Sequence, residues 1–309
     1  MARTLTRRLA KSRRLENAVR NSIAGDEIVE RFIAGEHPAT AAVVAMQMAH
    51  QGLDVTFGQT IGSADTKDEA EAATQVYLDT ITVAQGAGLD DLDLSVSLPA
   101  LGLSLGADGA ALADANLRRI ADAAAQADAT VTVDMGHPRH VDAVLAAVAK
   151  LREHHPSAGI TLQACLRRTR SDLADWLTPG SRVRLCKGAF PVPDEHDTFP
   201  TTHMIDTNLV RLLRLAMESP AIPLVATHDH RMVSITHELV RRSGRTRDDY
   251  EFQMLMGTRP LEHRRLVDTG RKVRVYLPYG RDWYPYLVHR IGDHPRLLGR
   301  FAKQLVNRR

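Results

Sequence analysis

Short runs rich in Val, Leu, Ile and Thr alternate along this chain with longer stretches in which apolar residues return every three or four positions. The runs predict strands at residues 53–57, 92–97, 130–134, 160–165, 182–186, 224–228, 251–255 and 272–277. The stretches between them predict helices; in 141–151, Val141, Val144, Leu145, Val148 and Leu151 form one apolar stripe. Asp65 and Thr66 are suited to cap the first crossover helix, and Gly86 to end it in the left-handed conformation. Eight successive βα units predict a parallel sheet closed into a (β/α)8 barrel of the TIM type. An open doubly wound sheet is the rival architecture. However, no Gly-x-Gly-x-x-Gly follows a strand, and Gly86-Ala87-Gly88 precedes one instead. Residues 1–50 read as an N-terminal helical segment, with a helix at 41–50, covering the flank or bottom of a barrel domain at 51–309.

Composition narrows the setting. With 309 residues, 44% hydrophobic and 25% charged, the chain can bury a full core. No apolar run approaches the roughly 18 residues of a membrane span, and no leader-like segment follows the basic start, so a soluble cytoplasmic chain is expected. The only two cysteines, Cys165 and Cys186, lack metal-type spacing and suit a reducing compartment. The net charge is +3, but basic residues gather at the ends: Arg3, Arg7, Arg8, Lys11, Arg13, Arg14 and Arg20, then Arg296, Arg300, Lys303, Arg308 and Arg309. Such segments are either solvated helix faces or peripheral contacts to anionic lipid at the inner face of a membrane. A single aromatic residue, Phe301, lies among them, too few for a stacking platform, which argues against nucleic acid.

Barrel enzymes carry their chemistry at the carboxyl ends of strands. Read in order, those ends hold Ser97, Asp134, Gln163, Arg184 with Lys187, Thr227 with His228, Gln253, and Tyr276. Arg184 and Lys187 together suit a phosphate or an electron-rich cofactor edge, and Gln163 can both donate to and accept from a heterocycle. His228, His230 and Asp134, with His137, offer a competing metal-hydrolase reading. The loop at 188–202 is long enough to form a lid or simply an excursion. The densest signal is Tyr276-Leu277-Pro278-Tyr279-Gly280 followed by Trp283, Tyr286, His289, Arg290 and Asp293. On a helix, Tyr286 and Arg290 share a face, as do His289 and Asp293, so a guanidinium there could clamp a carboxylate. A surface Arg–Asp pair is the plainer alternative.

Val273-Arg274-Val275-Tyr276-Leu277-Pro278-Tyr279-Gly280, with Tyr286-Leu287 and Arg290, resembles the C-terminal signature of the proline dehydrogenase family of flavin enzymes on a distorted barrel. The likeness extends to Val183-Arg184-Leu185-Cys186-Lys187-Gly188-Ala189, Phe252-Gln253-Met254-Leu255, Ala226-Thr227-His228, Val133-Asp134-Met135 and Ser95-Val96-Ser97-Leu98, in the family's order and spacing. The resemblance implies that Arg184 lies near the flavin N5, with Gln163, Lys187, Gly188, Ala189, Thr227 and His228 holding the rest of FAD. It implies that Asp134 and Tyr276 border the substrate and that Arg290 binds its carboxylate. The implied reaction is hydride transfer from proline to FAD, giving 1-pyrroline-5-carboxylate, with a membrane quinone accepting the electrons.

The chain also departs from that pattern. Ser97 stands where the family has a lysine, and Ser63 where it has the glutamate that pairs with that lysine. Paired arginines become His289 and Arg290, a glutamate becomes Asp293, a tyrosine becomes Cys165, and an acid becomes Gly136. Flavin-side residues are kept while substrate-side charges are thinned. A different cyclic amine or imino acid as substrate, or a silent paralogue, therefore stand beside proline oxidation as readings.

Overall fold

Eight parallel strands close on themselves in sequence order in the computed structural model, with β1 paired to both β2 and β8. The structure describes residues 9–10, 12–21, 23–188 and 197–292, with the backbone alone at 23–25, 27–28 and 289–292. The strands are β1 Asp54–Gln59, β2 Asp93–Val96, β3 Thr130–Val133, β4 Gly159–Gln163, β5 Arg182–Cys186, β6 Ile222–Ala226, β7 Glu251–Leu255 and β8 Val273–Tyr279.

The expected strands all form, with ends displaced by a few residues. Two displacements involve proline. β6 starts early and includes Pro223, because its pairing with β7 begins only at Leu224, so the missing N–H breaks no ladder bond. β8 runs on through Pro278 because β7 stops pairing at Leu255. The Pro278 carbonyl instead accepts from the Ala34 N–H at 2.7 Å.

Apolar residues on the outer faces of the strands and the inner stripes of the helices make one continuous core. Helix Val141–Arg152 buries Val141, Val144, Val148 and Leu151 of the predicted stripe, together with Ala147, while Leu145 at the stripe's edge is only partly buried. Helix Lys67–Gly86 is capped by Thr66, whose side chain accepts from the Glu69 N–H, while Glu69 in turn takes the Asp65 N–H. Gly86 is its last helical residue. The left-handed turn falls at Gly88 instead, with φ of 65°.

The helix expected at 41–50 spans Pro38–Ala49 and packs on β1, β8 and helix Lys67–Gly86. That slot between β8 and β1 belongs, in a regular barrel, to the helix following β8. Helix Trp283–Gly292 lies elsewhere, its Trp283, Tyr284 and Leu287 forming a second apolar cluster with Val19, Phe32 and Ile33. The barrel is distorted in this sense. The N-terminal segment therefore does more than cover a flank or bottom: it crosses the carboxyl ends of β7 and β8. Arg31 Nε donates to Gly257 O at 3.1 Å, and Gly280 N–H donates to Gly35 O at 2.9 Å. Gly257, at φ 74°, permits that crossing, since a Cβ there would overlap the Arg31 carbonyl. Glu36 ties the pieces together by accepting from Trp283 Nε1 at 2.8 Å and pairing with Arg20 at 2.5 Å.

The lower interior is ionic. Arg274 is fully buried, bonded to Glu251 at 2.9 Å, Asp91 at 2.8 Å and the Val55 carbonyl at 2.9 Å. Burial works to raise the Asp91 carboxyl, but Arg274 and Lys272 outweigh it and hold it at about 2, below its ordinary 3.8. A depressed carboxylate stabilises the fold above its unfolded value and ceases to as pH falls through its folded value. Stability measured by urea unfolding should therefore fall between about pH 4 and pH 2, and Asp91→Asn should flatten that limb. Asparagine tolerates the left-handed φ of 49° at this position, so backbone strain does not confuse the result. An identical acid slope in both proteins would show that the pair contributes nothing.

Candidate active site

Successive residues of a strand face opposite ways, so every second side chain of a closed barrel enters its interior. On β5 this directs Arg184 inward, where it is buried. Its Nε donates to Gln253 Oε1 at 2.5 Å, and its Nη1 donates to Ser95 Oγ at 2.8 Å and to Asp134 Oδ1 at 2.9 Å. Its Nη2 donates to Asp93 Oδ2 at 3.2 Å. Ser95 Oγ in turn donates a hydrogen bond to Asp134 Oδ2 at 2.8 Å. Asp134, just past the end of β3, keeps 32% of its side chain exposed and is the outermost member of this group. Burial pushes its carboxyl above the ordinary carboxylate range, although Arg184 draws it down.

Tyr276 approaches from β8. Its ring lies against Gly58 on β1, where any Cβ would overlap the ring at Cζ and the hydroxyl. Burial, followed by the nearby Asp134, Tyr286 and Tyr77, lifts its phenol well above the ordinary value. The group stays protonated at neutral pH and can act as a hydrogen-bond donor. Arg184, Asp134 and Tyr276 thus share one rim and one field.

Gln163 ends β4, donating through Nε2 to Gly136 O at 2.8 Å and accepting the Cys165 thiol proton at 3.6 Å. Gly188, at φ 94°, closes over both, and a Cβ there would overlap Cys165 Sγ. Burial, then the neighbouring Cys165, raises the Cys186 thiol to about 12. Both cysteines are free thiols near the same strand ends.

Lys187 does not join Arg184 in one cationic station. It faces the outer side of β5 and pairs with Asp206 at 2.6 Å and Asp229 at 3.0 Å, sharing no partner with Arg184. The alternation of side chains separates residues three apart, which spacing along the chain conceals. Thr227 Oγ1 accepts the Asp229 N–H at 3.1 Å. His228 Nε2 accepts the Leu255 N–H at 2.8 Å and so fastens the ends of β6 and β7. The metal reading loses its ligands accordingly. His230 is 72% exposed, His137 accepts the Arg139 N–H, and Asp134 belongs to Arg184. Among the described residues no cluster of His, Cys, Asp or Glu could hold a metal ion.

Ser97 opens the turn Leu98–Leu101 without a side-chain cap bond, and Ser63 is exposed. His289 and Arg290 belong to helix Trp283–Gly292, but their side chains lie outside the described residues, as do Ala189, Asp293, most of the expected lid loop and most of the basic ends. No described helix is long and apolar enough to cross a membrane. The sequence reading placed Gln253 among the strand-end candidates but assigned no role to Asp93, Gly58, Glu251 or Arg274. A signal existed in charged residues placed inside otherwise apolar strand runs.

Residues 42–293 match the family model described as proline dehydrogenase. The chain is 31% identical over 291 residues to proline dehydrogenase 2 of Bacillus subtilis, covering 93% of each protein. It is 30% identical over 273 residues to the proline dehydrogenase of Deinococcus radiodurans, covering 87% of each. Among solved structures, proline utilization A of Bdellovibrio bacteriovorus inactivated by N-propargylglycine superposes with a TM-score of 0.80 at 21% identity. That match covers 91% of this chain and 34% of the larger protein, and it speaks for the barrel fold. A distorted eight-stranded barrel, a rim centred on Arg184, Asp134 and Tyr276, and these matches along most of its length agree: the chain belongs to the proline dehydrogenase family.

Proposed function

We propose that this protein is an oxidoreductase that converts L-proline to 1-pyrroline-5-carboxylate, with FAD as its cofactor and a quinone as electron acceptor. The observation that carries the reading is the Arg184 guanidinium, immobilised at the rim beside Asp134 and within the field of Tyr276. The donor set fits a flavin. Gln163 ends β4, Arg184 points inward from β5 and Thr227 follows β6, so three consecutive strands offer amide, guanidinium and hydroxyl groups to a polar heterocycle. When bound, the flavin supplies the two-electron acceptor for the hydride of the ring carbon next to nitrogen.

The remaining roles fall to this chain's own residues. Arg184 brings a fixed positive charge that needs no reorganisation during reaction. Asp134 balances that charge and faces outward to the substrate. Tyr276 supplies a phenol donor and an apolar face for the ring. Arg290, on the helix following β8, is the reading's clamp for the substrate carboxylate.

The test is the visible spectrum of the purified protein after reconstitution with FAD. Anaerobic L-proline should bleach the flavin, with hydroxyproline, pipecolate and pyrrolidine slower. Bleaching by dithionite and by none of these compounds would overturn the substrate. A colourless protein that takes up no FAD and retains stoichiometric zinc would overturn the flavin reading itself.

A further inference from the structure

Asp93 is fully buried on β2, two residues before Ser95 and on the same inward face. Its Oδ1 accepts from Thr130 Oγ1 and Thr132 Oγ1, both at 2.9 Å. Its Oδ2 accepts from Thr56 Oγ1 at 2.9 Å and from Arg184 Nη2 at 3.2 Å. Hydroxyls from β1 and β3 therefore clamp this carboxylate on either side, leaving it one directly bonded cation, Arg184. A buried carboxylate so saturated cannot turn without abandoning a bond that no water replaces. The opposite edge of the guanidinium is held by Gln253, whose amide direction is itself set by donating to Glu251 Oε1 at 2.5 Å. Glu251 in turn accepts from Arg274 Nε at 2.9 Å. The Arg184 plane is thus gripped from two sides by groups that touch neither the rim nor solvent.

We propose that Asp93 is a positioning residue for the redox reaction, fixing the plane of the Arg184 guanidinium and balancing its charge; the inference rests on the function proposed above. Two consequences differ from those of a merely structural ion. Loss of the Asp93 charge leaves Arg184 less compensated, so a bound flavin accepts electrons more readily and its midpoint potential rises. Loss of the grip lets the guanidinium swing and slows turnover.

The experiment compares Asp93→Asn with Asp91→Asn in the full-length, FAD-loaded protein, measuring flavin content, midpoint potential, and kcat and KM for proline. Asp93→Asn should keep its flavin, show a raised potential and lose roughly 10- to 100-fold in kcat with little change in KM, as when a group that orients a reactive residue is removed. Asp91→Asn, which removes a charge from the other end of the barrel, should lose stability while keeping the parent potential and kcat. Parent values of both in a folded Asp93→Asn would overturn the proposal. Should that variant fail to fold, Gln253→Met frees the opposite edge of Arg184 without altering charge. A reduced kcat then supports the two-sided grip, and a parent kcat overturns it. Failure of the unmodified protein to bind FAD or to be bleached by proline would instead overturn the proposed function, so the two failures are distinguishable.

Discussion

Replacing Arg184 by methionine is expected to abolish proline oxidation and to lower the unfolding free energy by roughly 3–5 kcal/mol, the usual cost of stranding one partner of a buried ion pair. Asp93 is the reason for the stability loss. It is fully buried, and without the guanidinium its charge is bonded only by three threonine hydroxyls and met through space by Arg274. Asp134 suffers less because it retains access to solvent and the Ser95 hydroxyl. The activity loss has a separate origin, since methionine fills the volume but offers neither charge nor donors where the rim is most polar. Arg184→Lys separates the two effects. Its ammonium restores a charge near the carboxylates, so part of the stability returns. It cannot reach Gln253, Ser95, Asp134 and Asp93 from one plane, so activity does not return. Urea unfolding and steady-state turnover on both variants provide the check. A stable, active Arg184→Met protein would remove this residue from the centre of the site.

Gly58→Ala is the second substitution with a large expected effect. The new methyl group would occupy the space of the Tyr276 ring, which is half-buried at the rim. The ring must move by about an ångström, and a displacement of that size in a positioning group costs on the order of 100-fold in kcat/KM. Overpacking should also cost about 1–3 kcal/mol of stability. Tyr276→Phe, which removes only the hydroxyl, should lose less activity and almost no stability. The pair therefore distinguishes the position of the ring from the chemistry of its oxygen. Equal kcat/KM for proline in Gly58→Ala and the parent would show that the ring does not contact substrate.

The degree to which these features were legible in sequence differs by residue. Arg184, Asp134 and Tyr276 could be found because strand ends are periodic and polar residues stand out against Val, Leu and Ile. Their mutual contacts could not, since Asp134 and Arg184 are brought together only by the register of β3, β4 and β5. Lys187 shows the reverse error. It is near Arg184 in sequence, yet one strand pleat sends it to Asp206 and Asp229. His228 suggested a ligand, and the fold employs its Nε2 as an acceptor for a backbone N–H of the next strand.

By itself, the order of short β-rich runs and amphipathic stretches determined the eight-stranded barrel, because a strand–helix alternation repeated eight times has few other ways to bury both faces of a parallel sheet. The same order determined which residues stand at the rim. Barrel closure decided the rest. It set Tyr276 against Gly58 and Arg274 against Asp91, pairs separated by most of the chain. It also gave the place beside β8 to helix Pro38–Ala49, sending helix Trp283–Gly292 to the N-terminal helices. Local pattern records which way a side chain points along its own element. Only the packed structure determines what it meets, since those partners come from long-range contacts that no window of sequence contains.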